Sequence, residues 1–466
     1  MAPVEVARGP AGPPDASLLA GRSVLVIGIN YWPELTGIGP YTTAMAEELA
    51  RCGSAVTVFA GIPHYPSWQV DRDYRFKRLT REQRNGVDLW RLRHHVPGRQ
   101  SALRRAIFEA TFLAQTMIAR PAAAPDVVLA VVPNLGAAVS GARLARKYNV
   151  PVAMVVQDVL GHAASQSGIA GGSRVARATA AIEAWALRRA NVVGVVSESF
   201  RPVLVAYGVD NDRILSLPNW SHVPDSTGDV RAIRRGLGWP DGVTIALHSG
   251  NMGLKQDLGN IISAARLTAA RDDVRFVLMG DGSQRRTLES AAQGLPNVQF
   301  GELVPDDIYL DVLRAADVLL LNERPSVMDM SLPSKLTSYL RAGRPIVAAT
   351  APDGATAREL TRSGAAVLVP AGEPQRLADA VLSVADASTD FTDELGRAAV
   401  AYAEQNLGEE AAMARVRSLV LRALGVTAVP PVQVDLTAQV AAAAAAVKST
   451  GKSTATVKSA SKGSPQ

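Results

Sequence analysis

"SVLVIGINYWPELTGIGPYTTAMAEELARCG", residues 23–53, decides how the rest of the chain is read. The run Val24 to Ile29 is continuously apolar rather than alternating. That pattern suits a strand buried on both faces of a parallel sheet. A polar and aromatic turn follows, then Gly37 and Gly39, then a helical pattern over 41–52. Strand, glycine-bearing loop and helix in this order open a βαβ unit. The loop therefore sits at the carboxyl edge of a sheet. Glycines there let backbone N–H groups approach an anion at the start of the next helix; a plain tight turn is the other reading of the same residues. The spacing is not G-x-G-x-x-G, which argues against a nicotinamide dinucleotide site.

The same unit repeats outward along the chain. Strands are predicted at 23–30, 55–61, 126–132, 150–158 and 192–197, with helices at 41–52, 101–119, 137–148 and 173–190. A second series has strands at 244–250, 274–280, 317–322, 345–350 and 365–370, with helices at 257–270, 283–293, 332–342 and 374–386. The stretch "LPNWSHVPDSTGD" (217–229) separates the two. The expected fold is α/β, with two Rossmann-like doubly wound domains at 22–218 and 219–390. Helices over 391–425 are expected to brace both domains. In open parallel sheets ligands bind beyond the carboxyl ends of the strands. Two such domains facing each other would put a cleft between two sets of strand ends, one for a nucleotide and one for an acceptor.

The 466 residues are 47% hydrophobic and 20% charged, which suits a folded protein of two or more domains. One cysteine, Cys52, excludes an internal disulfide framework. No run of about 18 apolar residues predicts a membrane-spanning helix. The Pro- and Gly-rich start, 1–21, has no apolar core and is expected to be a disordered lead; 426–466, rich in Ala, Ser and Lys, is expected to be a disordered basic tail. Between Arg72 and Arg105 eleven Lys or Arg face three acids, a net charge of +8. The stretch 98–119 starts with basic residues and carries an apolar face, as an interfacial helix does. An ordinary core-facing helix has the same pattern. We expect contact with an anionic membrane surface. The basic segment has no accompanying nucleic-acid motif, so nucleic acid is not an expected partner.

Candidate chemistry falls at strand ends. "DMSLPSKLTSYLRAG" (329–343) places Lys335 in the first turn of a helix, against the helix dipole unless an anion is bound. "HSGNMGLKQD" (248–257) places Lys255 and Gln256 after another strand, and "MGDGS" (279–283) is a third such turn. In the first domain "VVQDVLGHA" (155–163) puts Gln157, Asp158 and His162 after a strand. Asp158 suits orientation or deprotonation of a sugar hydroxyl, or a helix cap. His64 is a weaker candidate, and His94 and His95 read as structural members of a basic strand. The D-x-D pairs Asp71/Asp73 and Asp210/Asp212 read as solvated loops, and no spacing suggests a metal site.

Five stretches in order, "GINYWPELTGIGPYT", "VVQDVLG", "HSGNMGLKQDL", "GDGSQRRTLE" and "LPSKLTSYLRAGRPIVA", resemble the family 4 glycosyltransferases of GT-B fold. The likeness is to the bacterial polysaccharide enzymes of the colanic-acid and O-antigen type, over about residues 22–410. The resemblance implies retaining transfer of a sugar from a nucleotide-diphosphate-sugar donor to a glycan acceptor, lipid-linked in such pathways. It implies no metal or other cofactor; the single cysteine, the lack of a spanning helix and the basic segment with its amphipathic stretch lead us to expect a cytoplasmic enzyme held peripherally on the inner membrane face. The resemblance further implies donor binding by Gly37, Gly39, Asn251, Lys255, Gln256, Gly280, Gly282 and the turn Leu332, Pro333, Ser334, Lys335. Glu34, Thr36, Gln157 and His162 fall on the acceptor side, and Asp158, Lys255 and Lys335 are the implied catalytic set. The chain departs from the family pattern in one respect. Two glutamates eight positions apart are replaced near Met330 and Ser338, and Glu323 and Asp329 are the nearby carboxylates. A catalytically inactive nucleotide-sugar-binding protein, or a sugar-nucleotide epimerase on the same fold, remains open at this point.

Overall fold

The computed structural model describes residues 16–34, 37–77, 79–98, 101–159, 172–220, 228–327 and 334–426. The chain forms two compact units. One runs to 222 and resumes at 406, and the other holds 223–405.

The first unit carries an eight-stranded sheet. Its strands are β1 (Ser23–Ile27), β2 (Ala55–Gly61), β3 (Leu79–Arg84), β4 (Val87–Leu92), β5 (Val127–Val132), β6 (Val152–Val156), β7 (Val192–Val195) and β8 (Ile214–Ser216), in the order β3-β4-β2-β1-β5-β6-β7-β8. All neighbours are parallel except β3, which runs antiparallel to β4 at the edge. β1, β5 and β6 are almost wholly buried, as continuous apolar runs require. The β3–β4 hairpin turns on Asn85 and Gly86, both left-handed, the pairing a two-residue type I′ turn demands. Its edge strand reads "LTREQR", and such charges protect an open edge from mispairing.

Helices α1 (Ala16–Leu19), α2 (Gly39–Arg51), α3 (Ala102–Ile118), α4 (Leu135–Tyr148), α5 (Gly172–Leu187) and α6 (Arg201–Ala206) complete the crossovers. The lead expected to be disordered over 1–21 is ordered at its end. Leu19 is fully buried and its carbonyl accepts from Ser54 Oγ at 2.8 Å, because its side chain finishes the core under β1 and β2. His94 and His95 lie beyond the end of β4 rather than within a strand.

The second unit carries six parallel strands: β9 (Thr244–Ser249), β10 (Val274–Met279), β11 (Val298–Gly301), β12 (Val318–Asn322), β13 (Ile346–Thr350) and β14 (Ala366–Pro370), in the order β11-β10-β9-β12-β13-β14. Helices α7 (Val230–Gly236), α8 (Gly259–Leu267), α9 (Arg285–Ala291), α10 (Asp306–Ala315), α11 (Ser334–Ala342), α12 (Ala355–Ser363) and α13 (Pro374–Ala385) cover it. The C-terminal helical stretch is two helices, α14 (Thr389–Tyr402) and α15 (Glu409–Ala423), joined by a π-turn at Ala403–Leu407. α14 packs in the second unit, where Tyr402 donates to Glu359 of α12. α15 packs in the first, where buried Arg417 pairs with buried Glu48 of α2. Among the described residues no helix is long and apolar enough to cross a membrane.

Candidate active site

In the second unit three loops converge at the carboxyl ends of β9, β10 and β12. Gly250 N–H donates to Met279 O (2.9 Å), Met252 N–H to Asp281 O (2.8 Å) and Gln284 N–H to Met252 O (2.9 Å). The β9 and β10 loops are thus laced together by backbone. Only glycine permits it: Gly280 has φ +135°, and a Cβ there would lie 2.0 Å from Gly250 O. Asn251 is exposed on this loop.

The turn carrying Lys255 is held from below. Buried Asn322, at the end of β12, donates to the carbonyls of Gln256 (2.8 Å) and Asp257 (3.0 Å) and accepts from Asn260 Nδ2 (2.8 Å). Arg324 N–H donates to Lys255 O (3.0 Å), and Gln256 Oε1 takes the Gly253 N–H (3.2 Å). The backbone is fixed and the Lys255 side chain is left exposed. Gln256 therefore acts first as a brace for the turn.

Lys335 is placed differently. It is the second residue of α11 and part-buried, with Nζ 3.3 Å from Nε2 of fully buried His248 on β9. Burial lowers the Lys335 pKa to about 8, against a partial restoring effect of Glu323. Burial, then Lys335, holds His248 well below its usual value, so its neutral Nε2 accepts from the lysine. Burial raises Glu323, which accepts from Thr356 Oγ1 at 3.2 Å. An amine held this way puts positive charge beside a helix start, a place where the helix dipole disfavours a cation on its own. Leu332, Pro333, Asp329 and Met330 lie outside the described residues, as does the side chain of Ser334. Ser338 is buried on α11.

In the first unit a cavity of 180 Å³ opens at the ends of β1, β2 and β5, with Gly37, His64, Tyr65, Trp68, Arg105 and Asn134 among its lining residues. Gly39 starts α2 so close to the preceding turn that a Cβ would lie 2.7 Å from Glu34 O. Glu34 is buried and its Oε1 accepts the N–H groups of His64 and Tyr65, both at 2.8 Å. Its Oε2 takes Asn30 Nδ2 at 2.7 Å. It clamps the loop after β2 to the loop after β1. Arg105 pairs with Glu109 one turn along α3 (3.1 Å), and Glu109 accepts the Gly136 N–H at 3.1 Å.

Gln157, at the end of β6, exchanges two amide hydrogen bonds with Asn219, at 3.0 and 2.8 Å, and so ties β6 to the segment after β8. Asp158 is half-buried, and its Oδ1 accepts the Val159 N–H at 2.8 Å. Thr36 and His162 lie outside the described residues. Asp71 caps its own short turn by accepting from Asp73 N–H, and Asp210 pairs with Arg213. Among the described residues no three His, Cys, Asp or Glu side chains gather as a metal cluster would.

The comparisons with known proteins agree with this layout. Residues 36–220 match the model of a glycosyl transferase 4-like domain, and residues 244–387 that of glycosyl transferases group 1. The protein of Escherichia coli (strain K12) named as colanic acid biosynthesis glycosyl transferase WcaI is 36% identical over 335 residues, covering 69% of this chain and 81% of that one. The chain belongs to this glycosyltransferase family. A 2-deoxystreptamine glucosyltransferase of Streptomyces kanamyceticus is 27% identical over 318 residues, 65% of this chain and 78% of that one. Among solved structures, Anabaena Alr3699/HepE in complex with UDP-glucose has a TM-score of 0.56 at 17% identity, covering 85% of this chain and 98% of that one. WaaG, a glycosyltransferase involved in lipopolysaccharide biosynthesis, has a TM-score of 0.55 at 14% identity, covering 85% and 99%. At that identity they show the GT-B fold.

Of the described donor-binding candidates of this glycosyltransferase, Asn251, Lys255, Gln256, Gly280, Gly282 and Lys335 sit at the carboxyl ends of the second sheet, whereas Gly37 and Gly39 lie at the start of α2 in the first unit. Sequence reasoning missed His248 as the partner of Lys335 and Asn322 as the brace of the Lys255 turn. It also ranked His64 low and left out Tyr65, Trp68, Arg105 and Asn134. The "PHYPSW" aromatic cluster was the one available signal.

Proposed function

We propose that this glycosyltransferase takes a sugar from a nucleotide-diphosphate-sugar donor. It transfers it with retention and without a metal to a lipid-linked glycan during assembly of a cell-surface polysaccharide. The observation that carries the proposal is the pair of lysines at adjacent strand ends, Lys255 exposed on a braced turn and Lys335 part-buried against His248. As the glycosidic bond breaks, the departing diphosphate gains negative charge. Two ammonium groups and the start of α11 offer fixed positive charge to it, the electrostatic work a divalent metal does in other transferases. The UDP-glucose complex of HepE supports a nucleotide-sugar donor. The E. coli relative's name supports a polysaccharide pathway. Retention rests on the family resemblance and is read from the anomeric configuration of the product.

The acceptor and the enzyme meet, on this reading, at the inner membrane face. Arg72, Arg75, Phe76 and Lys77 are exposed together, Phe76 at 90%. At the start of α3, Leu103 and Arg104 are exposed as well. Three other cations of the segment are occupied: Arg91 is buried, Arg81 stacks on Trp90 at 3.7 Å and Arg84 pairs with Glu47 at 2.9 Å. The inward face of α3, Phe108 and Phe112, belongs to the core. Membrane attachment therefore involves fewer cations than the segment's net charge suggests. The first test is a thermal-shift screen against UDP-, GDP- and dTDP-sugars, since a ligand of the folded state raises its stability. One nucleotide class should stabilise the protein in EDTA. Stabilisation by none of them would refute the donor reading. Sedimentation with phosphatidylglycerol vesicles, weakened by salt, tests the membrane reading. Equal binding to phosphatidylcholine refutes it.

A further inference from the structure

We propose that His64 is a substrate-contacting residue whose Nε2 accepts a hydrogen bond from a hydroxyl of an acceptor sugar ring bound in the first-unit cavity. The inference deepens the transferase reading and rests on it.

His64 is almost completely buried, yet it lines the cavity. Its Nδ1 lies 2.9 Å from Ile62 O and 3.4 Å from Glu34 Oε1. A carbonyl oxygen can only accept, and this carboxylate oxygen already accepts two backbone N–H groups. The imidazole proton must therefore sit on Nδ1, which fixes the tautomer. Nε2 is left as the free nitrogen. No hydrogen bond from a described residue reaches it, and His64 is a lining residue of the cavity, so a molecule bound there is the partner left for it. Burial, the largest effect on this ring, outweighs Glu34 and keeps it neutral, so Nε2 presents a lone pair. The charged or titratable groups around it are Glu34, Arg105 and His94. His94 is itself held neutral by burial, its ring 5.1 Å away.

The surroundings say what kind of donor fits. Trp68 packs edge-on to His64 at 5.6 Å between centroids, and Tyr65 stands 6.2 Å from Trp68. Tyr65 is 36% exposed. Trp68 holds φ at 53°, a left-handed conformation that bulky residues rarely adopt and that recurs at binding sites. A sugar ring presents C–H faces that pack on such aromatic edges and hydroxyls that reach a fixed acceptor in its plane. The cavity volume equals about six waters at roughly 30 Å³ each, the scale of one monosaccharide. Asn134 is engaged as the cap of α4 and in a bond to Glu109, whereas His64 offers a free acceptor on this wall.

The test uses nitrogen-15 imidazole spectra of the full chain, which has six histidines, with His64 assigned through His64→Gln. At pH 7 His64 should be in the Nδ1–H form with Nε2 unprotonated. The probes are p-nitrophenyl α- and β-glycosides of glucose, galactose, mannose and fucose. At least one should shift the His64 Nε2 resonance. His64→Phe keeps a ring and removes the acceptor atom, and should weaken that glycoside at least tenfold. His64→Gln keeps an acceptor oxygen and should retain most of the binding. The Nε2–H form, no glycoside response at His64, or wild-type glycoside binding by His64→Phe would each overturn the proposal. UDP-, GDP- and dTDP-sugars are screened in the same samples. Loss of every nucleotide response in the wild type, with glycoside binding intact, would overturn the donor reading instead.

Discussion

Replacing Lys335 by Met should leave the free protein about as stable while crippling its hold on a nucleoside diphosphate. Burial lowers the lysine from its ordinary 10.5 to about 8. At about 1.4 kcal/mol per pKa unit, and allowing for its partial exposure, keeping the amine charged in the empty protein costs roughly 2–3 kcal/mol. Below pH 8 the lysine is protonated in folded and unfolded chains alike, so this cost is fully present. Between pH 8 and 10.5 the unfolded chain holds the extra proton, and the group's contribution to stability improves as pH rises. Met removes the charge but leaves His248 Nε2 without its donor, which costs about 1–3 kcal/mol. The two nearly cancel, leaving a net of about −1 to +2 kcal/mol, and the melting temperature should shift by no more than a few degrees in either direction. Diphosphate binding should lose a charge-assisted hydrogen bond of about 1.5–3 kcal/mol, a weakening of about 10- to 100-fold. Because a bound anion favours the charged amine, wild-type protein should take up a proton on binding near pH 8. Calorimetry in buffers of different ionisation enthalpy measures both quantities, with UDP, GDP and dTDP as probes. A Lys335→Met protein that binds the preferred nucleotide as tightly as wild type and still takes up the proton would refute the reasoning.

Asp158→Asn should lower transfer by about 10²-fold or more with an unchanged unfolding curve. Near-normal turnover would leave Asp158 only its bond to the Val159 N–H. Gly280→Ala should destabilise the second unit by about 1–3 kcal/mol or more and abolish stabilisation by nucleotide sugars, since its Cβ meets Gly250 O. Chemical denaturation with and without ligand reads both effects. Arg417→Met leaves the buried Glu48 carboxylate with only the exposed Arg51 as an ion-pair partner and should cost up to about 3–5 kcal/mol, with much of the loss recovered by adding Glu48→Leu. Equal destabilisation by the single and double variants would contradict a paired role.

The strands that carry the ligand-binding edges were legible because parallel strands buried on both faces leave continuous apolar runs. β1, β5, β9 and β12 appear in the sequence almost as they fold. The β3–β4 hairpin was not read, although Asn85-Gly86 announces its turn. "LTREQR" is an edge strand whose side chains alternate into solvent, and its arginines look like a free basic patch. Both are instead engaged: Arg81 lies on Trp90, and Arg84 lies over Trp32 and pairs with Glu47. Lys335 was legible from its conflict with the helix dipole. His248 was not, because a histidine inside an apolar strand gives no sign of which turn of another helix will meet it. The His64 cavity combines loops after β1 and β2 with α3 and the start of α4, so no local spacing encodes it. Gln157 has a partner that its position in the sequence does not announce. Its position after β6 suggested a ligand contact, and its partner Asn219, 62 residues on, engages both ends of the amide.

The central claim is tested most directly by incubating the purified full chain with UDP-, GDP- and dTDP-sugars in excess EDTA, together with a lipid-linked glycan fraction. Release of the nucleoside diphosphate and the anomeric form of the new linkage are then measured. The account predicts acceptor-dependent release from one nucleotide class, unchanged by EDTA, with the donor's anomeric configuration kept and the activity lost in Lys335→Met. Activity abolished by EDTA and restored by Mg²⁺ or Mn²⁺, or an inverted linkage, would contradict it.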